Sequence, residues 1–486
     1  MTRAMFRSTA LPPTALAVLA AMSLSACAVG PNYVRPSAPL SPTFKEAAGW
    51  SPAAPADTLD RGDWWTLFGD PGLSALEARV QINNQNVIAA EAAYRQARAV
   101  VSEQRAALFP TVALNGSGTA SGGGAGSKGS VISGGGGTVV TSGGGQTRQY
   151  RASIGATWEP DVWGRIRRTI EVAKAQAGAS EADLAAARLS AQGELATDYF
   201  GLREADAEIA LDQATVEGYQ RALKIAQNRY NAGIGQKSDV LQAQTQFANA
   251  QADLAGLGQQ RANFEHAIAV LVGEAPGNFN LAAAAWTEIV PPVPAVVPST
   301  LLQRRPDIAS AERRVQAANA QIGVQTVAYF PTLSLTGSYG FASKELSGLI
   351  SSSNSLWSYG LAVAETVFDA GARHARVNEA KATHDQAVAQ YRQTVLSALQ
   401  DVENQLAATH VLAEQSDLRR QASTAADGAE QIMANRYQAG QVAYSDVVTT
   451  QTAAFSARRA VAQAAAQRQT TAVALIQSLG GGWRAP

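Results

Sequence analysis

Few residues in this chain have the chemistry to act on a substrate, and they are spread apart. The four histidines stand at 266, 374, 384 and 410. His374 and His384 are ten positions apart, and no His-Glu-x-x-His pair occurs to hold a metal on one helix face. A single cysteine, Cys27, excludes an intrachain disulfide and a cysteine metal cluster. Glycine runs at 122–124, 134–137 and 143–145 lack the Lys-Ser/Thr ending of a phosphate loop and precede strand-like sequence, so they read as a flexible loop. Arg304-Arg305 and Arg313-Arg314 have Asp307 and Glu312 beside them, which makes ion pairing their expected use. Met433 is the one methionine after residue 26, so a methionine-lined copper path has no support. No Ser-His-Asp set or carboxylate pair stands out from the solvated faces of helices. The expectation is a protein with no catalytic residues, no metal and no cofactor. What remains is the thiol of Cys27 and two matched sets of turn residues. One is Ala232-Gly233-Ile234-Gly235 followed by Asp239; the other is Ala439-Gly440-Gln441-Val442 followed by Asp446. Glycine just past a long helix serves as a left-handed C-cap. An aspartate one turn into the next helix favours that helix's dipole. In a threefold assembly Asp446 would also recur three times around one axis. A carboxylate ring of that kind narrows a pore, repels anions and holds cations.

The elements that must position these residues begin at the N-terminus. Arg3 and Arg7, then the apolar run from Ala15 to Met22, read as a secretory signal peptide over 1–26. The run is too short for a bilayer span, which takes about 20 apolar residues. Leu24-Ser25-Ala26-Cys27 is similar to a bacterial lipobox, with cleavage before Cys27. An ordinary leader with an incidental cysteine is the alternative, but the chain's one cysteine stands where a lipobox requires it. Acyl chains on Cys27 would each contribute about 0.8 kcal/mol per buried CH₂ to membrane attachment. By likeness to bacterial lipoproteins, Ala28 rather than Asp at the next position points to the outer membrane.

The charge balance narrows the class. Over 486 residues, Lys+Arg and Asp+Glu are both 39, charged residues are 16% and hydrophobic ones 46%. That composition excludes a disordered polyelectrolyte, and it lacks the basic stripe of a nucleic-acid binder. Aromatics are only 7%, and the apolar fraction leans on alanine, which suits closely packed helices. No stretch after residue 27 has 18 consecutive apolar residues, so a helical membrane span is not expected. A membrane crossing would have to be made by strands closed into a barrel.

The chain repeats itself. Asn228-Arg229-Tyr230-Asn231-Ala232-Gly233 returns as Asn435-Arg436-Tyr437-Gln438-Ala439-Gly440, and Ser238-Asp239-Val240 returns as Ser445-Asp446-Val447, all at an offset of 207. Phe109-Pro110-Thr111 matches Phe330-Pro331-Thr332 at an offset of 221. The difference of 14 falls where Gly116–Gly145 holds 14 glycines, so the first copy carries a glycine-rich insertion. No proline interrupts 161–275 or 332–485. Because proline costs a helix interior about 3 kcal/mol, long helices are predicted over Gly164–Tyr230 and Gly371–Tyr437. Each is 67 residues, or roughly 100 Å at 1.5 Å per residue. Leu195, Leu202, Ile209, Val216, Leu223 and Tyr230 recur every seven positions as one predicted seam. Val395, Leu399, Val402 and Leu406 make a comparable stripe in the second copy.

Strand character lies between the helices. Segments 332–339 and, more weakly, 111–116 alternate polar and apolar residues, with return strands predicted over 150–158 and 357–368. Trp158, Trp163, Tyr339, Trp357 and Tyr359 lie in or beside these hairpins, as barrel girdle aromatics do. Two soluble hairpins between helices are the plainer alternative. Four strands cannot close a barrel, since about eight are needed. The chain must then oligomerise, and three copies would supply twelve strands.

This order of elements resembles the TolC-like outer membrane efflux channels, and within them the lipoprotein branch of OprM and NodT type. The residues that carry the resemblance are Val29-Gly30-Pro31-Asn32-Tyr33-Val34-Arg35-Pro36, Trp64-Trp65-Thr66-Leu67-Phe68-Gly69-Asp70-Pro71, the run from Leu302 to Leu335, and the paired Asn-Arg-Tyr-x-Ala-Gly turns. The resemblance implies a mainly α fold with a membrane β-barrel: a homotrimer whose twelve-stranded barrel is continued by a twelve-helix α-barrel, each chain an internal duplication. It divides the chain into the signal peptide at 1–26, a lipidated segment at 27–71 entering an equatorial domain, a first repeat at 72–275, a proline-rich equatorial linker at 276–301, a second repeat at 302–480 and a tail at 481–486. It implies a passive exit duct of a tripartite RND-type efflux pump for drugs or other small molecules, anchored by Cys27 in outer membrane lipid. A periplasmic adaptor and an inner-membrane pump would open it. An exit channel for type I protein secretion and a pore-free structural lipoprotein are the alternatives. Two gate roles carry over by position: Tyr437 would donate a hydrogen bond to Asp239 across the closed tip, and Asp446 would face the lumen. The sequence departs from the family pattern at Thr449, where a second acid is common, and at Val442, where an arginine is common. Closure is therefore expected to lean on packing, with Tyr444 and Val448 as candidates.

Overall fold

The computed structural model describes residues 28–38, 43–46, 63–121, 147–284, 286, 288–291 and 304–481. The leader and Cys27, the glycine-rich stretch 122–146, the proline-rich stretch 292–303 and the tail from 482 lie outside the described residues.

The proline-free stretches contain the longest helices, and the duplication is visible element by element. The first copy contains α1 (Pro71–Asn83), α2 (Gln85–Ala106), β1 (Thr111–Ser121), β2 (Thr147–Trp158), α3 (Arg165–Asn231) and α4 (Lys237–Leu271). The second contains α5 (Pro306–Val327), β3 (Thr332–Ser343), β4 (Ser355–Ala364), α6 (Ala372–Gln438) and α7 (Tyr444–Ser478). Helices α3 and α6 are both 67 residues, each displaced by one residue from its predicted range. Helices α2 and α5 are both 22 residues, and α4 and α7 both 35. Among the described residues, no helix is long and apolar enough to cross a membrane.

The chain divides into two compact units. The first, formed by the described residues up to Val34 with 97–176 and 315–386, holds the strands. They form one antiparallel sheet in the order β1-β2-β3-β4, so the β2–β3 pairing joins the two copies. Strand β1 extends past the predicted segment to Ser121, and β4 stops at Ala364, short of the predicted Phe368. The chain leaves both return strands through the same device. Asp161 accepts from the backbone N–H groups of Ile166 and Arg167 at 2.9 and 2.8 Å, ahead of Gly164 at φ 86°. Asp369 accepts from those of Gly371 and Arg373 at 3.1 and 3.0 Å, with Gly371 at φ 89°. Each aspartate fills orphan donors at a helix start.

The Val-Gly-Pro-Asn segment is a strap across this unit. Arg168 is buried and donates to the carbonyls of Val29 and Gly30 at 3.2 and 3.1 Å and to Asn32 Oδ1 at 3.1 Å. Asn319 donates to the Pro31 carbonyl at 3.1 Å. Gly30 has φ 105°, and a Cβ there would stand 2.5 Å from Gly323 Cα, so two glycines allow the close approach.

The second unit, 35–96, 177–314 and 387–486, contains the main apolar core. Trp64, Trp65 and Phe68 are buried in it, so the Trp-Trp motif is a packing device. Asp70 caps α1 from Gly72 and Leu73 at 2.7 and 3.1 Å and accepts from the Tyr199 hydroxyl at 2.8 Å. Ion pairing is the use of the basic pairs, though not always with the sequence neighbour. Arg305 binds Asp307 at 2.8 Å and also donates to the Ser478 carbonyl at 3.0 Å, whereas Glu312 takes Arg35 and Arg314 takes Asp183, both at 2.8 Å.

The predicted seam on α3 needs correction. Leu195 and Leu202 are fully buried, but Ile209, Val216 and Leu223 are half-buried and Tyr230 is exposed. The buried line passes instead to Ala205, Asp212, Tyr219 and Ala226. That line keeps the seven-residue spacing but is offset by three residues, so the buried face of α3 changes between the main core, which takes Leu195 and Leu202, and a second cluster, which takes Ala226. The stripe on α6 holds: Val395, Val402 and Leu406 are buried and Leu399 packs against the core.

A two-faced sheet and a four-helix tip

The register of the four strands sorts their side chains onto two faces of opposite chemistry. One face carries Val112, Leu114, Ile154, Ala156, Trp158, Leu333, Leu335, Tyr339, Trp357, Tyr359, Leu361 and Val363, each beside another of the set in the ladder. These side chains lie on the surface; Leu114 and Tyr359 are both 83% exposed. The other face carries Thr111, Asn115, Ser117, Arg151, Ser153, Thr157, Ser334, Thr336, Ser338 and Ser358, with small residues between them. In water such a sheet would turn its apolar face inward, and none of the described residues covers it. A transmembrane barrel wall has this alternation, apolar toward lipid and polar toward the lumen. From Leu333 to Phe341 the apolar row spans eight steps of β3, roughly 26 Å along the strand. Trp158 stands near the helix-bearing end of the sheet; Tyr339, Trp357 and Tyr359 stand farther along. Trp163 does not join them. It stacks on Phe330 at 4.9 Å and donates to the Pro331 carbonyl at 2.7 Å.

The tip lies in the other unit, where α3 turns into α4 and α6 into α7. Both turns are the same Schellman-type motif. Gly233 and Gly440 have φ 75°, and each donates to the carbonyl of the tyrosine three residues before it, at 3.0 and 2.9 Å. Ile234 and Gln441 donate to Arg229 and Arg436, five residues back, at 3.0 and 2.9 Å. Nothing stands within 4 Å of a Cβ placed on either glycine. Gly233→Ala or Gly440→Ala should therefore cost about 1 kcal/mol through backbone conformation alone. Gly428→Ala, inside α6 and equally open, should stabilise by a similar amount. Thermal unfolding of the three variants checks the opposite signs.

The four helix ends pack through a small apolar cluster of Ala226, Val240, Ala243, Tyr444, Val447 and Val448, with Tyr437 against it. Tyr444 and Val448, the predicted packing residues, are 3% and 6% exposed. Tyr437 meets Tyr444 at 5.4 Å between ring centres, and the Arg229 guanidinium lies over the Tyr437 ring at 4.9 Å. No hydrogen bond joins Tyr437 to Asp239 in the structure. Burial pushes the Tyr437 phenol up, Arg229 pulls it down, and the Asp239 carboxylate adds to the rise. Asp239 is thus within electrostatic reach, but Arg229 makes the contact. Sequence reasoning passed over Arg229, although the repeated Asn-Arg-Tyr was its signal. Asp446 is exposed at the third position of α7, and its carboxylate accepts from the Ala443 N–H at 3.3 Å. Thr449 is exposed, and Val442 is half-buried.

Farther up the same unit, a polar contact ties α3 to α7. Glu208 accepts from Arg459 at 3.1 Å and from Gln463 at 2.9 Å. Burial, reinforced by Glu208, pushes the nearby Glu204 up to about 7. Asp212 is 1% exposed, and its carboxylate makes no hydrogen bond.

A sheet apolar on one face and polar on the other, borne on paired 67-residue helices that end in matched turns, defines a channel-forming outer membrane protein. A family profile described as Outer membrane efflux protein matches residues 77–274 and 297–481, and the chain belongs to that family. It is 30% identical to the solvent efflux pump outer membrane protein SrpC of Pseudomonas putida over 477 residues, covering 96% of this chain and 98% of that protein. It is 29% identical to the outer membrane protein OprJ of Pseudomonas aeruginosa, covering 96% and 95%. Among solved structures, the outer-membrane channel OprN matches at 31% identity and TM-score 0.83, covering 95% of this chain and 100% of that one. The Neisseria gonorrhoeae MtrE outer membrane channel, solved in its open state, matches at 28% and 0.81, covering 94% and 99%.

Proposed function

We propose that three copies of this chain form a passive exit duct of a tripartite RND-type efflux pump, with the tip as its gate. The observation that carries this is the open, two-faced sheet. Its outer strands β1 and β4 each have one unpaired edge, and four strands cannot close. Joining β1 of one copy to β4 of the next, three times over, gives twelve strands with no edge and a polar lumen. The paired long helices would continue the wall into the periplasm. The segments at 38–70 and 276–305 and the C-terminal end would make an equatorial belt. At the tip, Asp446 would form the lumenal carboxylate ring. Asp239 and Tyr437 would lie between the helix pairs that must separate on opening. A periplasmic adaptor and an inner-membrane pump would supply that work. Small molecules are the proposed cargo, as the names of the relatives carry solvents, antibiotics and cations.

Lipidation at Cys27 belongs to the same reading. A Cβ on Gly164 would lie 2.8 Å from Ala28, so residue 28 sits where β2 gives way to α3. Acyl chains on the preceding residue would then start at the inner surface of the barrel's membrane. The test combines mass in detergent with a deletion strain. The expected result is a trimer that conducts in planar bilayers, and hypersensitivity to several compound classes that re-expression rescues. A monomer without conductance would overturn the reading in favour of a pore-free spacer. A conducting trimer whose loss sensitises cells to nothing would point to a dedicated secretion exit.

A further inference from the structure

The four strands contain no aspartate, no glutamate and no lysine; their only charged residues are Arg148 and Arg151, both on β2. The register separates the two arginines. Arg148 has the parity of Tyr150, Ile154 and Trp158, on the apolar face, whereas Arg151 has the parity of Ser153 and Thr157, on the polar face. In the ladder Arg151 stands opposite Ser117 on β1 and Ala342 on β3, and its same-face neighbours along β2 are Gln149 and Ser153. It is exposed. None of those neighbours can neutralise it, and β4, which would be the next strand across a subunit joint, offers only Leu356, Ser358, Gly360, Ala362 and Ala364 on that face. Among the described strand residues, a full positive charge is therefore held on a wall of mostly small and uncharged side chains.

We propose that Arg151 is the charge-selecting residue of the barrel: three copies form a guanidinium ring that draws anionic solutes, multivalent ones most strongly, into the barrel half of the duct. This rests on the trimeric channel reading above. Twelve strands about 4.8 Å apart and tilted near 40° enclose a bore roughly 24 Å across at the backbone. An arginine reaching inward leaves its head group within about one Debye length, ~8 Å at physiological salt, of the axis. The ring's field then covers the whole bore instead of only a layer at the wall. Guanidinium groups also stay charged at every working pH and offer several donors to an oxyanion. Carboxylate rings select cations by the same physics with the sign reversed. The duct would thus carry opposite rings, acidic at the tip through Asp446 and basic in the barrel through Arg151. Anionic and amphiphilic carboxylated solutes would be favoured after the tip opens, and net flux of small cations through the barrel would be slowed.

Block of single channels in planar bilayers by tripolyphosphate tests this. The probe is added to the barrel-side chamber, so that it reaches the barrel before the tip. Wild type is expected to be blocked from that side, with the block weakening as salt rises. Arg151→Gln should raise the half-blocking concentration by about tenfold, and Arg151→Glu should abolish block. Arg148→Gln, on the lipid-facing side of the same strand, should block like wild type. Equal block of Arg151→Gln and wild type would overturn the proposal, as would loss of block in Arg148→Gln. A wild type that never conducts would instead overturn the channel reading on which the proposal rests.

Discussion

Tyr444→Ala is expected to leave the duct leaking at its tip, with open channels in bilayers and entry of bulky hydrophilic antibiotics that the outer membrane normally excludes. Tyr444 is the largest side chain in the tip cluster and is 3% exposed. Truncating a buried aromatic ring to alanine costs about 3–5 kcal/mol, by lost transfer energy and by the cavity left behind. The ring lies between the α3–α4 pair, through Ala226, Val240 and Ala243, and Tyr437 at the end of α6. The loss therefore falls on the contact that keeps the two helix pairs together. The hydroxyl gives a second variant of opposite sign. It is buried without a hydrogen-bond partner, and burial pushes the phenol up to about 12. An orphaned polar group costs about 1–3 kcal/mol. Tyr444→Phe keeps the ring and removes that cost, so it should tighten the tip and lower open probability below wild type. If both variants conducted like wild type, the cluster would be ordinary helix packing and the gate would lie elsewhere.

Glu77→Gln is expected to stabilise the protein by about 3 kcal/mol at pH 7 and to flatten the dependence of stability on pH. Glu77 lies on α1 among Leu73, Leu76 and Val80, is fully buried, and has no hydrogen-bond partner on either carboxylate oxygen. Burial pushes its carboxyl up to about 9 from 4.5. The direction of the effect follows. Below pH 4.5 folded and unfolded chains both hold the proton, and the group costs nothing through ionisation. Between about 4.5 and 9 the unfolded chain releases the proton and the folded chain keeps it, so stability falls as pH rises. Above 9 the penalty is complete. Glutamine has the shape of the protonated acid and cannot ionise, so the variant and wild type should melt together near pH 5 and diverge steadily toward pH 8. Parallel melting curves across that range would show that the carboxyl has a charged partner in the assembled protein.

Much of this protein is legible in its amino-acid sequence because its main features are local. Absence of proline is read residue by residue and leaves room for both long helices, and the repeated Gly164/Gly371 and Tyr230/Tyr437 place them to within one position. Gly233 and Gly440 are legible as turn residues because a left-handed C-cap selects glycine whatever surrounds it. Alternation in 332–339 gives a strand with two unlike faces, because side chains in a strand alternate by geometry. The duplication supplies the rest by copying. What sequence could not supply was the choice of partners. Tyr437 meets Arg229 and Tyr444 where Asp239 was expected, because several side chains share the end of each helix and packing between helices picks among them. The buried line along α3 steps from Leu202 to Ala205 and Asp212 with its seven-residue spacing kept, because the helix packs into the main core at Leu202 and into the tip cluster at Ala226. Nothing in the sequence sets Glu77 apart from the other acids; only when α1 packs into the second unit does that carboxyl lose both water and partners. Backbone preference and periodicity are properties of neighbouring residues and are written along the chain. Burial of a particular polar atom depends on which distant surface arrives to cover it, and only the tertiary structure decides that.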